Sequence, residues 1–147
     1  MHHTKDKGDL GLVKAISDLT EKGFSILTPI SEHLPFDFVA YDSDSTKLYR
    51  VQAKYSSIRN GQIQVRLKTS YNSRKGCVST RYEIGSFDVL SVYCPETNSV
   101  YYIDEAETRQ NSTTLTLRVD DPKPSNNGAI CSKIRYANNY LDFPSGL

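Results

Sequence analysis

Three polar side chains on two neighbouring predicted strands are the residues of this sequence best suited to chemistry. Asp37 stands in an apolar, aromatic segment, and Gln52 and Lys54 lie two positions apart in the segment that follows. A carboxylate oxygen is a ligand that Mg²⁺ prefers, and the Gln52 amide could add a neutral oxygen, directly or through a water. Lys54 could lower the pKa of an attacking water and stabilise charge on a phosphate. The residue types indicate metal-assisted hydrolysis of a phosphodiester.

A predicted β-hairpin would bring these three side chains together. Residues 36–41 are apolar and aromatic enough for a buried strand, and residues 42–45 have the composition of a turn. Residues 48–55 then alternate with period two. One face of this strand would carry Tyr49, Val51, Ala53 and Tyr55, and the other Arg50, Gln52 and Lys54.

The segment before the hairpin predicts a helix and a short strand. Apolar residues in 9–22 fall on one helical face, and Gly23 stands where a left-handed C-terminal cap is expected. Residues 24–27 form a short strand that ends before Pro29.

After the hairpin, the pattern predicts further strands. Residues 62–68 alternate cleanly, whereas residues 69–79 are rich in Ser, Asn, Gly, Arg and Lys and indicate a mobile loop. The remaining predictions are strands at 87–94, 99–103 and 113–119, a loop at 121–128 and a short helix at 134–141.

Positive charge is concentrated in one part of the chain. Residues 45–82 hold nine of the 18 basic residues and none of the 17 acidic ones, although the formal net charge is only +1. This segregation is typical of a surface that binds nucleic-acid phosphates. Gln62, Gln64, Arg66 and Lys68 are the predicted readers of base edges in the major groove. The predicted phosphate contacts are Arg59, Arg74, Lys75 and Arg81.

Length and composition fit one compact domain. The chain has 147 residues, of which 37% are hydrophobic and 24% charged. Residues 1–7 are polar, and no apolar run approaches the ~20 residues that span a bilayer, so we expect a cytoplasmic protein that does not bind membranes. Cys77, Cys94 and Cys131 are far apart and form no C-x-x-C pair, which argues against a zinc site or a disulfide framework.

The run Pro35-Phe36-Asp37 followed by Gln52-Ala53-Lys54 resembles the PD-(D/E)xK nuclease signature, with Gln52 at the second acidic position. The order of elements over residues 5–105 is also similar to that of the bacterial group I intron-encoded homing endonucleases of this fold. The runs that carry this similarity are residues 7–11, 32–37, 51–55 and 92–103.

The resemblance implies an α/β, restriction endonuclease-like core, with a mixed central sheet flanked by helices. It also implies sequence-specific double-strand cleavage of DNA with Mg²⁺ by a homodimer or homotetramer. Asp37 and Gln52 would hold the metal, and Lys54 would be the catalytic lysine. Proteins of this fold usually carry a Glu on the first helix, near Leu12 here, and Asp9 is the best substitute as a metal ligand. A single nuclease domain would span residues 1–147.

Within that domain, the expected core covers residues 5–105, a DNA-contacting insertion covers 58–82, and a C-terminal extension covers 106–147. The aromatic residues of 87–103 and 134–143 make these two segments candidate interfaces. Two alternatives stay open. One is a structure-specific nuclease resembling a Holliday junction resolvase, and the other is a DNA-binding module without catalysis.

Overall fold

The computed structural model describes residues 3–111, 113–121, 134–144 and 146. Its central layer is a five-stranded mixed sheet of β1 (Ser25–Leu27), β2 (Phe38–Asp42), β3 (Lys47–Tyr55), β8 (Val89–Cys94) and β9 (Ser99–Asp104). The strands lie side by side in the order β1-β2-β3-β8-β9. The predicted hairpin is confirmed as the antiparallel pair β2 and β3, whereas β3 and β8 run parallel. The mixed sheet that the sequence predicts is therefore present.

A second sheet covers one face of the central sheet. It contains β4 (Ile58–Arg59), β5 (Gln62–Arg66) and β10 (Thr114–Arg118), in the order β10-β5-β4. Buried side chains of β5 and β10, such as Val65 and Leu115, form one apolar cluster with Leu90 and Val92 of β8. The predicted insertion and the predicted extension thus pair with each other and cover the core together.

The opposite face of the central sheet packs against helix α1 (Thr4–Glu21). Ala15 and Leu19 of α1 are fully buried and share a second apolar cluster with Val51 of β3 and Tyr102 of β9. Alternation along β3 therefore sends Val51 and Ala53 toward the helix and leaves Gln52 and Lys54 on the face of the second sheet. No helix in the described ranges is both long and apolar enough to cross a membrane.

Helix α1 begins five residues before the predicted start at Asp9. The His3 imidazole accepts a hydrogen bond from the Lys5 N–H (3.4 Å), and the Asp6 carboxylate accepts one from the His3 N–H (3.1 Å). This reciprocal cap stabilises a polar first turn that lacks the apolar periodicity on which the prediction relied. The expectation that the helix starts at Asp9 was therefore wrong.

The loop predicted at residues 69–79 is an antiparallel ribbon. Strands β6 (Lys68–Ser73) and β7 (Gly76–Arg81) pair along their whole length. Thr69 and Thr80 share a cross-strand hydrogen bond of 3.3 Å, and Ser70 donates one of 3.4 Å to Ser79. Most ribbon side chains are exposed and none is fully buried, so the sequence carries no alternation between buried and exposed positions that would indicate strands.

Two short helical segments lie on either side of β10 in the sequence. Helix α2 (Glu105–Thr108) follows β9, and a 3₁₀ helix (Ala137–Tyr140) lies within the helix predicted at 134–141, which is confirmed in a shorter form. Apart from Asp121, the loop predicted at 121–128 lies outside the described residues, as does Cys131.

The aromatic residues that suggested subunit interfaces are mostly used inside the chain. Tyr93, Tyr101 and Tyr102 are buried, and Phe143 packs against Phe24 with ring centroids 4.7 Å apart. Aromatic content in 87–103 and 134–143 therefore reflects the core and does not support an interface there.

Candidate active site

Strand pairing places Asp37 beside Gln52. The Asp37 N–H donates to the Val51 carbonyl (2.9 Å), which extends the β2–β3 pairing by one residue. Asp37 Oδ2 accepts a hydrogen bond from the Ala53 N–H at 2.7 Å. The carboxylate is thus fixed to the backbone between Gln52 and Lys54, the two residues that the sequence predicts as its partners.

Burial is the largest cause of the pKa shifts of Asp37 and Lys54. Burial raises the pKa of the Asp37 carboxyl, against the opposing effects of the Ala53 N–H and the positive charge of Lys54. Burial also lowers the pKa of the Lys54 ammonium; the charge of Asp37 acts to raise it and that of Arg66 to lower it. Neutral forms of both groups are therefore more accessible than in water, as proton-transferring groups require.

Tyr82 is a site residue that the sequence did not reveal. The Lys54 Nζ lies 5.0 Å from the centroid of the Tyr82 ring, and it also donates to the Lys68 carbonyl at 3.5 Å. The ring itself is held edge-on by Phe87, with centroids 5.4 Å apart. Burial, with the negative charge of Asp37, raises the pKa of the phenol, which keeps it neutral. Tyr82 follows the ribbon, so no local pattern pointed to it.

The donor atoms present fit a hard divalent cation. The Asp37 carboxylate uses one oxygen for the Ala53 N–H and has no other hydrogen-bond partner in the described part of the chain. The partly buried Gln52 side chain has none among the same residues. No group of three His, Cys, Asp or Glu side chains suited to a metal occurs within the described ranges. One carboxylate and one amide suit Mg²⁺, which keeps several waters and shares its shell with substrate phosphates.

Asp9 is not brought to this cluster. Its side chain is exposed, and Leu12, at the position expected for a helix Glu, packs in the apolar cluster of α1. That cluster lies on the face of β3 opposite Gln52 and Lys54. The role of Asp9 as a metal ligand stays a prediction that the geometry does not support.

An ion-pair network borders the site at the start of the parallel pair β3–β8. Asp88 accepts hydrogen bonds from the Arg50 backbone N–H (2.8 Å), Nε (3.1 Å) and a terminal guanidinium nitrogen (2.9 Å). Glu105 accepts from Arg109 at 2.6 Å, and its N–H donates to the Asp88 carbonyl at 3.0 Å. These contacts fix the face of β3 that carries Gln52 and Lys54.

The predicted DNA contacts differ in their surroundings. Gln64 and Arg66 are exposed on β5, as are Arg59 on β4 and the ribbon-turn residues Arg74 and Lys75. These side chains face solvent and are available to a ligand.

The other three predicted contacts have partners or are partly buried. The Gln62 amide oxygen accepts from Arg118 at 3.0 Å, and Arg81 donates to the Thr108 carbonyl at 3.0 Å, which ties the ribbon to α2. Lys68 is partly buried and begins β6, beyond the break at Leu67. Of the four residues predicted to contact base edges, only Gln64 and Arg66, at the centre of the row, are therefore exposed.

Comparisons with known proteins agree with this geometry. A family model described as PD-(D/E)XK endonuclease matches residues 2–142. The solved structure of a bacterial homing endonuclease, I-Ssp6803I, superposes with a TM-score of 0.73 at 22% identity, over 95% of this chain and 88% of that one. This likeness shows a shared fold. A comparison with curated protein sequences found no match. The resemblance noted in the sequence is confirmed, and the chain belongs to the PD-(D/E)XK endonuclease family.

Proposed function

We propose that this nuclease is a Mg²⁺-dependent endonuclease that makes site-specific double-strand breaks in DNA, of the intron-homing kind. The observation that carries the proposal is the convergence of Asp37, Gln52 and Lys54 on one face of the β2–β3 hairpin. Metal-assisted phosphodiester hydrolysis needs these groups and no histidine base.

The residues would divide the work as follows. Asp37, in its ionised form, and the Gln52 amide oxygen would hold the cation. When bound, the cation supplies charge that polarises the phosphate and lowers the pKa of water. Lys54 presents Nζ beside Asp37, where its positive form stabilises negative charge that develops on the phosphate and its neutral form accepts a proton. The Tyr82 ring keeps that nitrogen on the site side of β3.

Two features support a specific duplex substrate. The basic stretch 45–82 contains β3, β4, β5 and the exposed β6–β7 ribbon, and a two-stranded ribbon fits the major groove. The fold is also that of I-Ssp6803I, which is described as a homing endonuclease. A long target needs more contacts than one chain offers, so we propose a homodimer or homotetramer.

Cleavage of a randomised duplex library tests the proposal. The purified protein is assayed with Mg²⁺ and with EDTA, beside Asp37→Asn and the control Asp44→Asn, which removes an exposed turn carboxylate. We expect one long sequence to be cut by wild type and by Asp44→Asn, only with Mg²⁺, and at least about 100-fold more slowly by Asp37→Asn. Equal cutting by Asp37→Asn would refute the assignment. A four-way junction in the same assay distinguishes a resolvase.

A DNA-binding module without catalysis is the second candidate. It is favoured by the absence of a second carboxylate: within the described residues Asp37 has only the neutral Gln52 beside it. Salt-dependent duplex binding, unaffected by EDTA and by Asp37→Asn and accompanied by no cutting, would establish this alternative.

A further inference from the structure

A cationic groove of about 590 Å³ opens beside the candidate active site. It runs between the first turns of α1, the end of β3 and the second sheet. Its lining includes no acidic residue and four basic ones, Lys7, Lys54, Arg59 and Arg66.

Lys54 faces Asp37, but the other three positive charges of this groove are not neutralised by a described carboxylate. Elsewhere, cations such as Arg50 and Arg109 are paired with carboxylates at 2.6–2.9 Å. In contrast, Lys7, Arg59 and Arg66 form no ion pair with any described carboxylate, and the Lys7 Nζ has only the Tyr55 ring, at 5.9 Å. Like charges that converge without counter-charges repel each other, so an anion in the groove would relieve this repulsion.

The groove shares Lys54 with the site. Lys54 lines the groove and lies in the field of Asp37, so a ligand in the groove would continue directly into the cluster of Asp37 and Gln52. The volume falls in the range of about 300–1,000 Å³ that is usual for small-ligand sites, which is ample for one nucleotide unit. The neutral lining supplies hydroxyls, including those of Ser57 and Thr114, which can bond to sugar or phosphate oxygens.

We infer that the groove binds the nucleotide adjacent to the cleaved phosphodiester, with Lys7 and Arg66 as the ligands of its phosphate. This assignment deepens the proposed nuclease function and rests on it for the identity of the ligand. Lys7 and Thr4 reach the groove from the first two turns of a helix whose buried residues pack behind the sheet, so the helix contributes to substrate binding through those turns.

Binding of thymidine 3′,5′-bisphosphate tests the inference without any cutting. Titrations in EDTA, followed by NMR amide shifts, would compare Lys7→Gln with Lys5→Gln, which removes an equal charge from the same helix outside the groove. Arg66→Gln is compared with the same Lys5→Gln control. We expect Lys7→Gln and Arg66→Gln each to weaken binding about tenfold, the value of one charge-assisted hydrogen bond, and Lys5→Gln to weaken it less than about twofold.

The outcomes separate this inference from the proposed function. If Lys7→Gln and Arg66→Gln weaken bisphosphate binding but the wild-type protein cuts no duplex with Mg²⁺, the assignment of the groove is supported and the nuclease proposal is refuted. Cutting that is equally fast in Lys7→Gln and wild type, with bisphosphate binding unchanged, would overturn the groove and leave the nuclease proposal intact. If the wild-type protein does not bind the bisphosphate at millimolar concentration, the assignment of the groove is also overturned.

Discussion

Two glycines in helix α1 provide a matched test of how closely the helix approaches the candidate active site. A Cβ built at Gly11 would lie 2.9 Å from the Lys54 carbonyl oxygen and 3.3 Å from the Tyr55 Cβ, whereas a Cβ at Gly8 would meet nothing within 4 Å. The first contact is with backbone, which cannot rotate away. Gly11→Ala must therefore move the helix or the end of β3, and Gly8→Ala need not move anything.

The magnitudes follow from two opposing effects. Replacing Gly by Ala inside a helix stabilises it by roughly 0.5–1 kcal/mol, and both variants gain this. Overpacking at a backbone contact costs about 1–3 kcal/mol, and only Gly11→Ala incurs it. We expect Gly8→Ala to raise Tm by about 1–4 °C, and Gly11→Ala to melt about 2–12 °C below Gly8→Ala, at roughly 2–4 °C per kcal/mol for a chain of this size.

Thermal denaturation measures the stability difference, and cleavage per folded molecule measures its effect on the site. Because the displaced carbonyl belongs to Lys54, we expect Gly11→Ala to cut DNA at least about tenfold more slowly even well below its Tm, while Gly8→Ala keeps wild-type activity. A Gly11→Ala protein as stable and as active as Gly8→Ala would refute the close approach.

Two further predictions concern the residues around Lys54. Tyr82→Leu removes the ring that lies 5.0 Å from the Lys54 Nζ and should lower kcat about fivefold, the value of a partly desolvated cation–π contact. Tyr82→Phe retains a ring and should keep kcat. If both variants lose the same activity in single-turnover cleavage, the role of the ring is contradicted. Asp88→Asn should cost about 1–2 kcal/mol at pH 7 by weakening the bonds from Arg50. Burial acts to raise the pKa of Asp88, but the Arg50 hydrogen bonds and charge lower it overall. The stabilisation is therefore present above the ordinary aspartate pKa, about 4, and lost as pH falls through the lower folded value; denaturant unfolding that shows the same difference between the two proteins at pH 7 and pH 3 would contradict it.

The sequence predicted the site wherever side-chain direction follows from local periodicity. Alternation along residues 48–55 reports which side chains share a face, so Gln52 and Lys54 could be placed on one face before the structure was known. The antiparallel partner was also within reach, because only a short turn joins β2 to β3. The short connection between the two strands was therefore enough to predict that Asp37 lies beside Gln52 and Lys54.

Contacts that depend on distant pairing could not be found in this way. Tyr82 contacts Lys54, and Lys7 lines the same groove as Lys54, because of tertiary packing that leaves no periodic pattern in either segment. The β6–β7 ribbon was missed for a related reason: a ribbon exposed on both faces needs no apolar alternation, and its Ser, Asn and Gly content is also that of a loop.

The neutral Gln52 has a physical consequence for the free protein. Two carboxylates at this position would repel each other and raise the cost of ionising Asp37 beyond that of burial alone. With Gln52, the site has a single carboxylate among the described residues, and the positive charge of Lys54 opposes the rise that burial causes in the pKa of Asp37. The same substitution removes one negative charge from the cation's ligands and should weaken metal binding. Phosphate binding by Lys7 and Arg66 would then supply affinity that the metal site alone lacks, because a substrate held in the groove brings its own oxygen ligands to the cation.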